Sequence, residues 1–262
     1  MGYFVDVQGV THVYGGGDGT PAVEDLTVRV REGEFAAIVG PSGCGKSTMM
    51  KLATGLQFPK SGSVVVDGAE VHAPLKITGM AFQNPVMLPW RTVLDNLLLP
   101  LEIVEPHRSR FRRHKHEYVA RAENLLRSVG LAGLGEKYPW QLSGGMQQRA
   151  SLCRALIHEP KLLMLDEPFG ALDSFTREEL WCVVRDLHAE RGFTVILVTH
   201  DLREAAFLSD RIFCMSSRPG RILAEREVNL PRPRDLEVTY SHAFADIVQD
   251  LRHQIRTARV AA

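Results

Sequence analysis

The chain has no excess of charge of either sign. Lys and Arg number 31 together, as do Asp and Glu, so no global field draws it to nucleic acid. No run of 18 apolar residues occurs, which leaves no candidate for a membrane-spanning helix. The opening stretch, MGYFVDVQGV, lacks the basic start and long apolar segment of a secretory signal. Cysteine is scarce: Cys44, Cys153, Cys182 and Cys214 show no CxxC spacing, and reduced thiols in a cytosolic protein are the plain expectation. Internal repeats and low-complexity tracts are missing as well. The 262 residues suit one large α/β domain, or one domain with a subdomain, and such a length buries a full core.

What is present is organised around Gly40 to Thr48, GPSGCGKST. An apolar run, Phe35 to Val39, precedes it and reads as a buried strand; Lys46 to Leu56 follows and reads as a helix. Strand, glycine-rich turn and helix are the context a phosphate-binding loop needs. Gly40, Gly43 and Gly45 let the backbone curl so that successive N–H groups point inward, with Pro41, Ser42 and Cys44 between them. The positive end of the helix faces the same point. Lys46 is placed for β- and γ-phosphates, the Ser47 hydroxyl for Mg²⁺, and Thr48 for the α-phosphate side. The four fixed positions of the motif would match by chance in about one such chain in a hundred, so the context matters. By itself the motif says nucleoside triphosphate, and not which one or for what.

Along the chain, Tyr3 to Val13 reads as a strand ending just before Tyr14, and GGGDG (15–19) as a loop. Leu26 to Arg31 alternates at period two, the mark of a half-exposed strand. Ser63 to Val66 is a short strand closed by Asp67-Gly68, a hairpin signal, and Met80 to Phe82 another, ending at Gln83. Thr92 to Val104 and Tyr118 to Val129 are apolar at helical spacing. Between them lies Pro106 to His116, strongly basic and read as a connecting loop. Gly144 to His158 and Ser174 to Arg191 read as helices, Lys161 to Leu165 and Thr194 to Val198 as buried strands, Arg211 to Met215 and Arg221 to Glu227 as closing strands. Pro231 and Pro233 mark a linker, and Phe244 to Arg256 a final amphipathic helix. The β-α-β rhythm specifies a parallel sheet. The expected fold is therefore α/β: a P-loop core with a mainly parallel sheet, an N-terminal antiparallel β layer, and a helical subdomain inserted at about 84–160. Residues 1–230 make the domain and 231–262 a C-terminal linker and helix.

Two further stretches carry chemistry. LLMLDEP, Leu162 to Pro168, is an apolar strand ending in two carboxylates. Asp166 is placed to hold Mg²⁺ or its water shell. Glu167, one residue on, faces differently and can accept a proton from an attacking water. LSGGMQQR, Leu142 to Arg149, opens a helix with Ser143 and two glycines. Exposed N–H groups and a hydroxyl at a helix start form an anion site, although Ser followed by Gly-Gly also suits an ordinary N-cap. One phosphate cradle is already complete in this chain, and a second suggests that it serves the nucleotide of another copy.

GPSGCGKST, LSGGMQQR, LDEP and His200 in this order resemble the ATP-binding subunit of an ABC transporter, from the first strand to about Leu230. The resemblance implies the ABC ATPase fold, with ATP and Mg²⁺ bound between two copies in a head-to-tail sandwich. It implies that Ser143, Gly144, Gly145 and Gln147 meet the γ-phosphate held by the partner copy. Tyr14 matches the aromatic that stacks on adenine. Gln83 matches the glutamine that touches Mg²⁺ and the attacking water and links to the membrane subunit. Asp173, in GALD, matches the loop crossing the dimer interface, and His200 the γ-phosphate switch histidine. PWRTVLDNLLLPLE, YPWQLSGGMQQR, LDEPFGALD and SSRPGRI are similar to importers of the nitrate, sulfonate and taurine group. That branch implies separate membrane permease subunits, a solute-binding protein, no nucleic acid, and a peripheral place on the cytoplasmic face of the inner (plasma) membrane. A soluble ABC ATPase in DNA repair or translation would carry long coiled-coil insertions or duplicated cassettes. A non-catalytic nucleotide-binding regulator would lack Glu167 or His200.

Two features depart from the family pattern. Ser151, Leu152 and Cys153 stand where relatives carry small or β-branched residues. The segment Arg108 to His116, RSRFRRHKH, is longer and more charged than usual: five Lys or Arg, two His and no acid in nine residues. It reads either as a solvated loop or as an electrostatic contact with a partly anionic membrane or an acidic partner.

Overall fold

The computed structural model describes residues 2–15, 19–170 and 172–260. Most of the glycine loop at 15–19 (residues 16–18) and the last two residues of the C-terminal segment therefore lie outside the described residues. The chain divides into two compact units, Met1–Leu75 with Gly192–Ala262, and Lys76–Arg191.

The first unit begins with β1 (Val5–His12) and β2 (Val23–Val30), continues through β3 (Phe35–Val39) and α1 (Lys46–Ala53), and then forms a hairpin of β4 (Ser61–Val66) and β5 (Ala69–Glu70). An antiparallel sheet runs in the order β2-β1-β4-β5. Val5, Val7 and Val10, then Leu26, Val28 and Val30, then Val64 and Val66 are buried, the alternation of a sheet with one face on the core. Asp67 and Gly68 take φ values of 52° and 76°, as a two-residue type I′ turn requires. α1 ends at Ala53 and not at Leu56. Gly55 takes φ 74°, its N–H returns to the Leu52 carbonyl (3.2 Å), and the Leu56 N–H returns to that of Lys51 (2.9 Å). This paired reversal closes a helix on a left-handed glycine, and the apolar pattern simply runs past it.

The second unit holds β6 (Thr78–Ala81), α2 (Val93–Ile103), α3 (His107–Arg110), α4 (Lys115–Ser128), α5 (Gly144–Leu156), β7 (Leu162–Asp166) and α6 (Ser174–Arg191). β6 and β7 pair in parallel, Thr78 opposite Leu162 and Ala81 opposite Leu165. β6 starts earlier than the expected Met80 and ends before Phe82. Gly79 hides the strand signal, and a Cβ there would run into the Ala155 carbonyl of α5, a close backbone approach of the kind glycine serves in strands. In α4, Tyr118, Ala122, Leu125 and Leu126 are buried, one helical stripe.

The basic segment is not a plain loop. It contains α3 and is organised on Tyr118: the Phe111 ring stacks on it at 5.9 Å, and the His107 Nδ1 lies 3.1 Å from its hydroxyl. His107, Phe111 and His114 are half-buried, while Arg108, Arg110, Arg112, Arg113, Lys115 and His116 are exposed. The ring-bearing residues turn inward and the long cations outward, a sorting that a reading by charge alone does not resolve.

The first unit resumes with β8 (Thr194–Thr199), α7 (Leu202–Leu208), β9 (Arg211–Met215), β10 (Ile222–Glu227) and α8 (His242–Val260). β3 lies between β8 and β9, parallel to both, and β10 returns antiparallel along β9. Every residue of β3, β8 and β9 is buried, the near-continuous run of strands covered on both faces. α7 was not expected from the sequence: its few residues, LREAAFL, are too short to display a period. Asp201 caps it, accepting from the Arg203 N–H at 2.8 Å. After the Pro231–Pro233 segment, Arg234 is buried and donates to the carbonyls of Phe207 (2.9 Å), Ser209 (2.7 Å) and Val228 (3.1 Å). It satisfies carbonyls at the end of α7, and burial lowers its pKa to about 10.

Candidate nucleotide site

The phosphate loop follows directly from β3. Gly43 and Gly45 take φ values of 75° and 103°. Gly45 also stands where a Cβ would come within 2.6 Å of Val23 Cγ1, so both backbone and space demand glycine. α1 starts on Gly45 with no side-chain cap, so the positive end of its dipole faces the loop. Lys46 is buried, with its Nζ donating to the carbonyls of Gly40 and Pro41, both at 2.9 Å. Its ammonium is thus held over the loop it must serve. Cys44 is packed beneath, and burial raises its thiol pKa against the lowering pull of Lys46. It is a packing residue and not a thiolate. Ser42, Gly43 and Ser47 are exposed.

Three more elements of the same unit attend the loop. The Tyr14 hydroxyl lies 3.1 Å from Thr48 Oγ1, and its ring meets His12 edge-on at 4.9 Å. Thr48 therefore spends its hydroxyl on Tyr14, a tie that spacing did not reveal. Gly220 abuts the loop: a Cβ there would collide with the Cys44 carbonyl. Its N–H donates to the Ala22 carbonyl at 3.1 Å, and its own carbonyl accepts from the Glu24 N–H at 3.0 Å. The PGR mark in the sequence thus has a physical reason, the close passage of a backbone against the phosphate loop. His200 leaves β8 exposed, bracketed by Asp201 and by a buried hydrogen bond from Thr199 Oγ1 to Glu204 Oε2 at 2.6 Å. Thr199 and Glu204 were missed in the sequence, since their pairing depends on the unexpected α7.

The second unit carries the remaining candidates. Asp166 ends β7, and Glu167 follows with φ 47°. A non-glycine residue in the left-handed region costs on the order of 1–3 kcal/mol and is held there by its surroundings. Gln83 follows β6 on an exposed loop. Ser143 caps α5, its Oγ accepting from the Met146 N–H at 3.3 Å, and Gly144 and Gly145 form the first turn. A Cβ on Gly145 would come within 2.9 Å of Leu172 Cδ2. Gln147 turns back, donating to the Leu142 carbonyl at 3.2 Å. Asp173 accepts from the Thr176 N–H at 3.1 Å and so serves the first turn of α6. That bond holds its carboxyl below the usual range.

Structure thus groups Gly40 to Thr48, Tyr14 and His200 in one unit, and Gln83, Ser143 to Gln147, Asp166, Glu167 and Asp173 in the other. Among the described residues no cluster of three or more His, Cys, Asp or Glu forms a metal cage. The donors named for Mg²⁺ are a hydroxyl (Ser47), an amide (Gln83) and a carboxylate (Asp166). Each is a hard oxygen donor of the kind that ion takes.

A glycine loop between a buried parallel strand and a helix, followed by a strand that ends at Asp166 with Glu167 next, defines a P-loop nucleotide-binding protein. Residues 23–170 match the family model described as "ABC transporter". The chain is 40% identical over 223 residues to the taurine import ATP-binding protein TauB of Escherichia coli, covering 85% of each. It is 41% identical over 215 residues to the aliphatic sulfonates import ATP-binding protein SsuB of Bacillus licheniformis, covering 82% of this chain and 80% of that one. Among solved structures, the dimeric ATP-binding cassette MJ0796 bound to ADP and phosphate matches with a TM-score of 0.75 and 32% identity, over 87% of this chain and 100% of that one. The chain belongs to the ABC transporter family, as an ATPase of the ABC fold.

Proposed function

We propose that this chain is the ATP-hydrolysing subunit of an importer for a small anion of the sulfonate, taurine or nitrate class. The observation that carries the reading is the pair of phosphate-directed elements in one chain, the loop Gly40 to Thr48 and the helix start Ser143-Gly144-Gly145. Each would serve a different nucleotide if two copies associate head to tail. The likeness to a dimeric cassette and to taurine and sulfonate import proteins supports it.

In this reading the loop amides and Lys46 hold the β- and γ-phosphates and Tyr14 stacks on adenine. Ser47, Gln83 and Asp166 would hold Mg²⁺, which when bound would neutralise charge on the phosphate oxygens. Glu167 takes the proton from the attacking water, and His200 hydrogen-bonds the γ-phosphate. Ser143, Gly144, Gly145 and Gln147 receive the partner copy's γ-phosphate, and Asp173 lies at the interface of the two copies.

No helix among the described residues is long and apolar enough to cross a membrane, so we assign the solute path to separate permease subunits fed by a solute-binding protein. The work of this subunit is then to close on ATP and reopen after hydrolysis, at the cytoplasmic face of the membrane. The exposed cations around α3 suit that place. A non-transport ABC ATPase is the competing reading.

The test is Glu167→Gln, which keeps shape and removes the base. Turnover should fall at least ~100-fold, and sizing chromatography with MgATP should show an accumulated dimer. Monomer alone, with turnover near wild type, would overturn the sandwich reading.

A further inference from the structure

Gln83 is the least anchored of the candidate residues by sequence, since it sits on an exposed loop after β6. Its neighbourhood tells otherwise. Gln148, on α5, is 1% exposed, and its Nε2 donates to the carbonyl of Phe82, the residue before Gln83, at 2.9 Å. The orientation of that amide is set by its partner, because the flipped form would press Oε1 against a carbonyl. Oε1 itself has no hydrogen-bond partner. A buried amide with its oxygen unpaired costs free energy. Six residues further along α5, Arg154 Nη1 donates to the Val86 carbonyl at 2.6 Å. Burial lowers the Arg154 pKa, so this cation too is held at a cost. The loop from Phe82 to Val86 is therefore gripped at both ends by one helix, and Gln83 lies between the grips. That same helix begins at Ser143.

We propose that Gln148 and Arg154 are positioning residues for hydrolysis: they fasten the Gln83 loop to α5, so that Gln83 is set by wherever the Ser143 end of that helix lies. From Ser143 to Gln148 is five residues, about 7.5 Å of helix, a rigid distance over which a displacement is not absorbed. Whatever settles at the helix start then aligns Gln83. The proposal rests on the reading that Gln83 acts in hydrolysis.

The test is a double-mutant cycle in the full chain between Gln83→Ala and Gln148→Leu, with kcat and KM for ATP measured separately and nucleotide affinity titrated. Misplacing a reacting group costs roughly 10- to 100-fold. Gln148→Leu should lower kcat by about tenfold or more with KM and ATP affinity within about twofold, since the phosphate loop is untouched. In the Gln83→Ala background the same change should have no further effect on kcat, the sign of two residues acting as one. Arg154→Met should repeat the pattern and Arg154→Lys should recover most of it, which covers the case in which Gln148→Leu fails to fold. Additive losses, or a kcat unmoved by Gln148→Leu, would overturn the clamp. A kcat unmoved by Gln83→Ala would overturn instead the role of Gln83, and is distinguished by that single variant.

Discussion

The Tyr14 hydroxyl and the Thr48 hydroxyl lie 3.1 Å apart, which joins the aromatic expected under adenine to the first turn after the phosphate loop. The ring is set by a strand end and the hydroxyl by a helix, so Tyr14 registers one against the other. Tyr14→Phe removes only the hydrogen bond, a contribution of about 0.5–1.5 kcal/mol at most, and ATP affinity should fall by roughly two- to tenfold. Tyr14→Ala removes the stack as well, on the order of 1–3 kcal/mol per base, and should weaken binding considerably further. Equal affinities for Phe and Ala variants would show that the ring does not carry the adenine.

Lys46 holds two carbonyls of its own loop, Gly40 and Pro41. Lys46→Ala removes both the tether and the charge meant for the phosphates. Tight MgATP binding should be lost in a nucleotide titration. The fold should persist, because the strand and helix on either side of the loop are set by β3 and the core of the first unit. Unchanged affinity would sink the phosphate-loop assignment.

His158 gives a dependence on pH. Its Nε2 lies 3.3 Å from the Thr78 carbonyl, which places the ring hydrogen there and leaves Nδ1 bare, buried and without a partner. Burial, with His107 nearby, holds its pKa below the ordinary histidine value. The unfolded chain then binds the proton first as pH falls below about 6.5, so stability is full above that value and is lost on acidification. His158→Gln keeps a donor for the carbonyl and cannot titrate. Thermal melts at pH 7.5 and 5.5 should show a smaller loss for the variant than for wild type. Parallel losses would remove His158 from the account.

How much of this was legible beforehand depends on the range of the interaction. β3, α6 and β9 have the bounds that the sequence predicts, because a fully buried strand and a long capped helix are written in consecutive residues. α1 was overrun because Leu56 continues the apolar pattern while Gly55 stops the helix by backbone geometry. The phosphate loop and LSGGMQQR were plain as local strings. The Asn96 anchor was not: its Nδ2 holds the carbonyls of Leu88, Arg91 and Thr92 and its Oδ1 accepts from the Leu88 N–H at 2.7 Å, a set visible only once α2 is built. Gly220 against Cys44, Thr199 with Glu204, and Gln148 on Phe82 are likewise pairings across the fold, and no spacing rule points to them.

The cations around α3 carry the last prediction. Tyr118 holds the inner face of this segment through His107, Phe111 and His114, so Arg110, Arg112, Arg113 and Lys115 can be changed without touching what keeps it folded. All four are exposed. Near a partly anionic membrane, each basic residue contributes on the order of 1 kcal/mol within a Debye length. Reversing four charges should then weaken attachment to partner-containing membranes in sedimentation, most at low salt and progressively less as salt rises. Basal ATPase in solution should survive, since none of the proposed nucleotide residues lies between 107 and 116. A mutant that sediments like wild type with those membranes at low salt would leave the cations as solvated surface. Loss of attachment that vesicles of anionic lipid alone do not reproduce would assign them to an acidic protein partner.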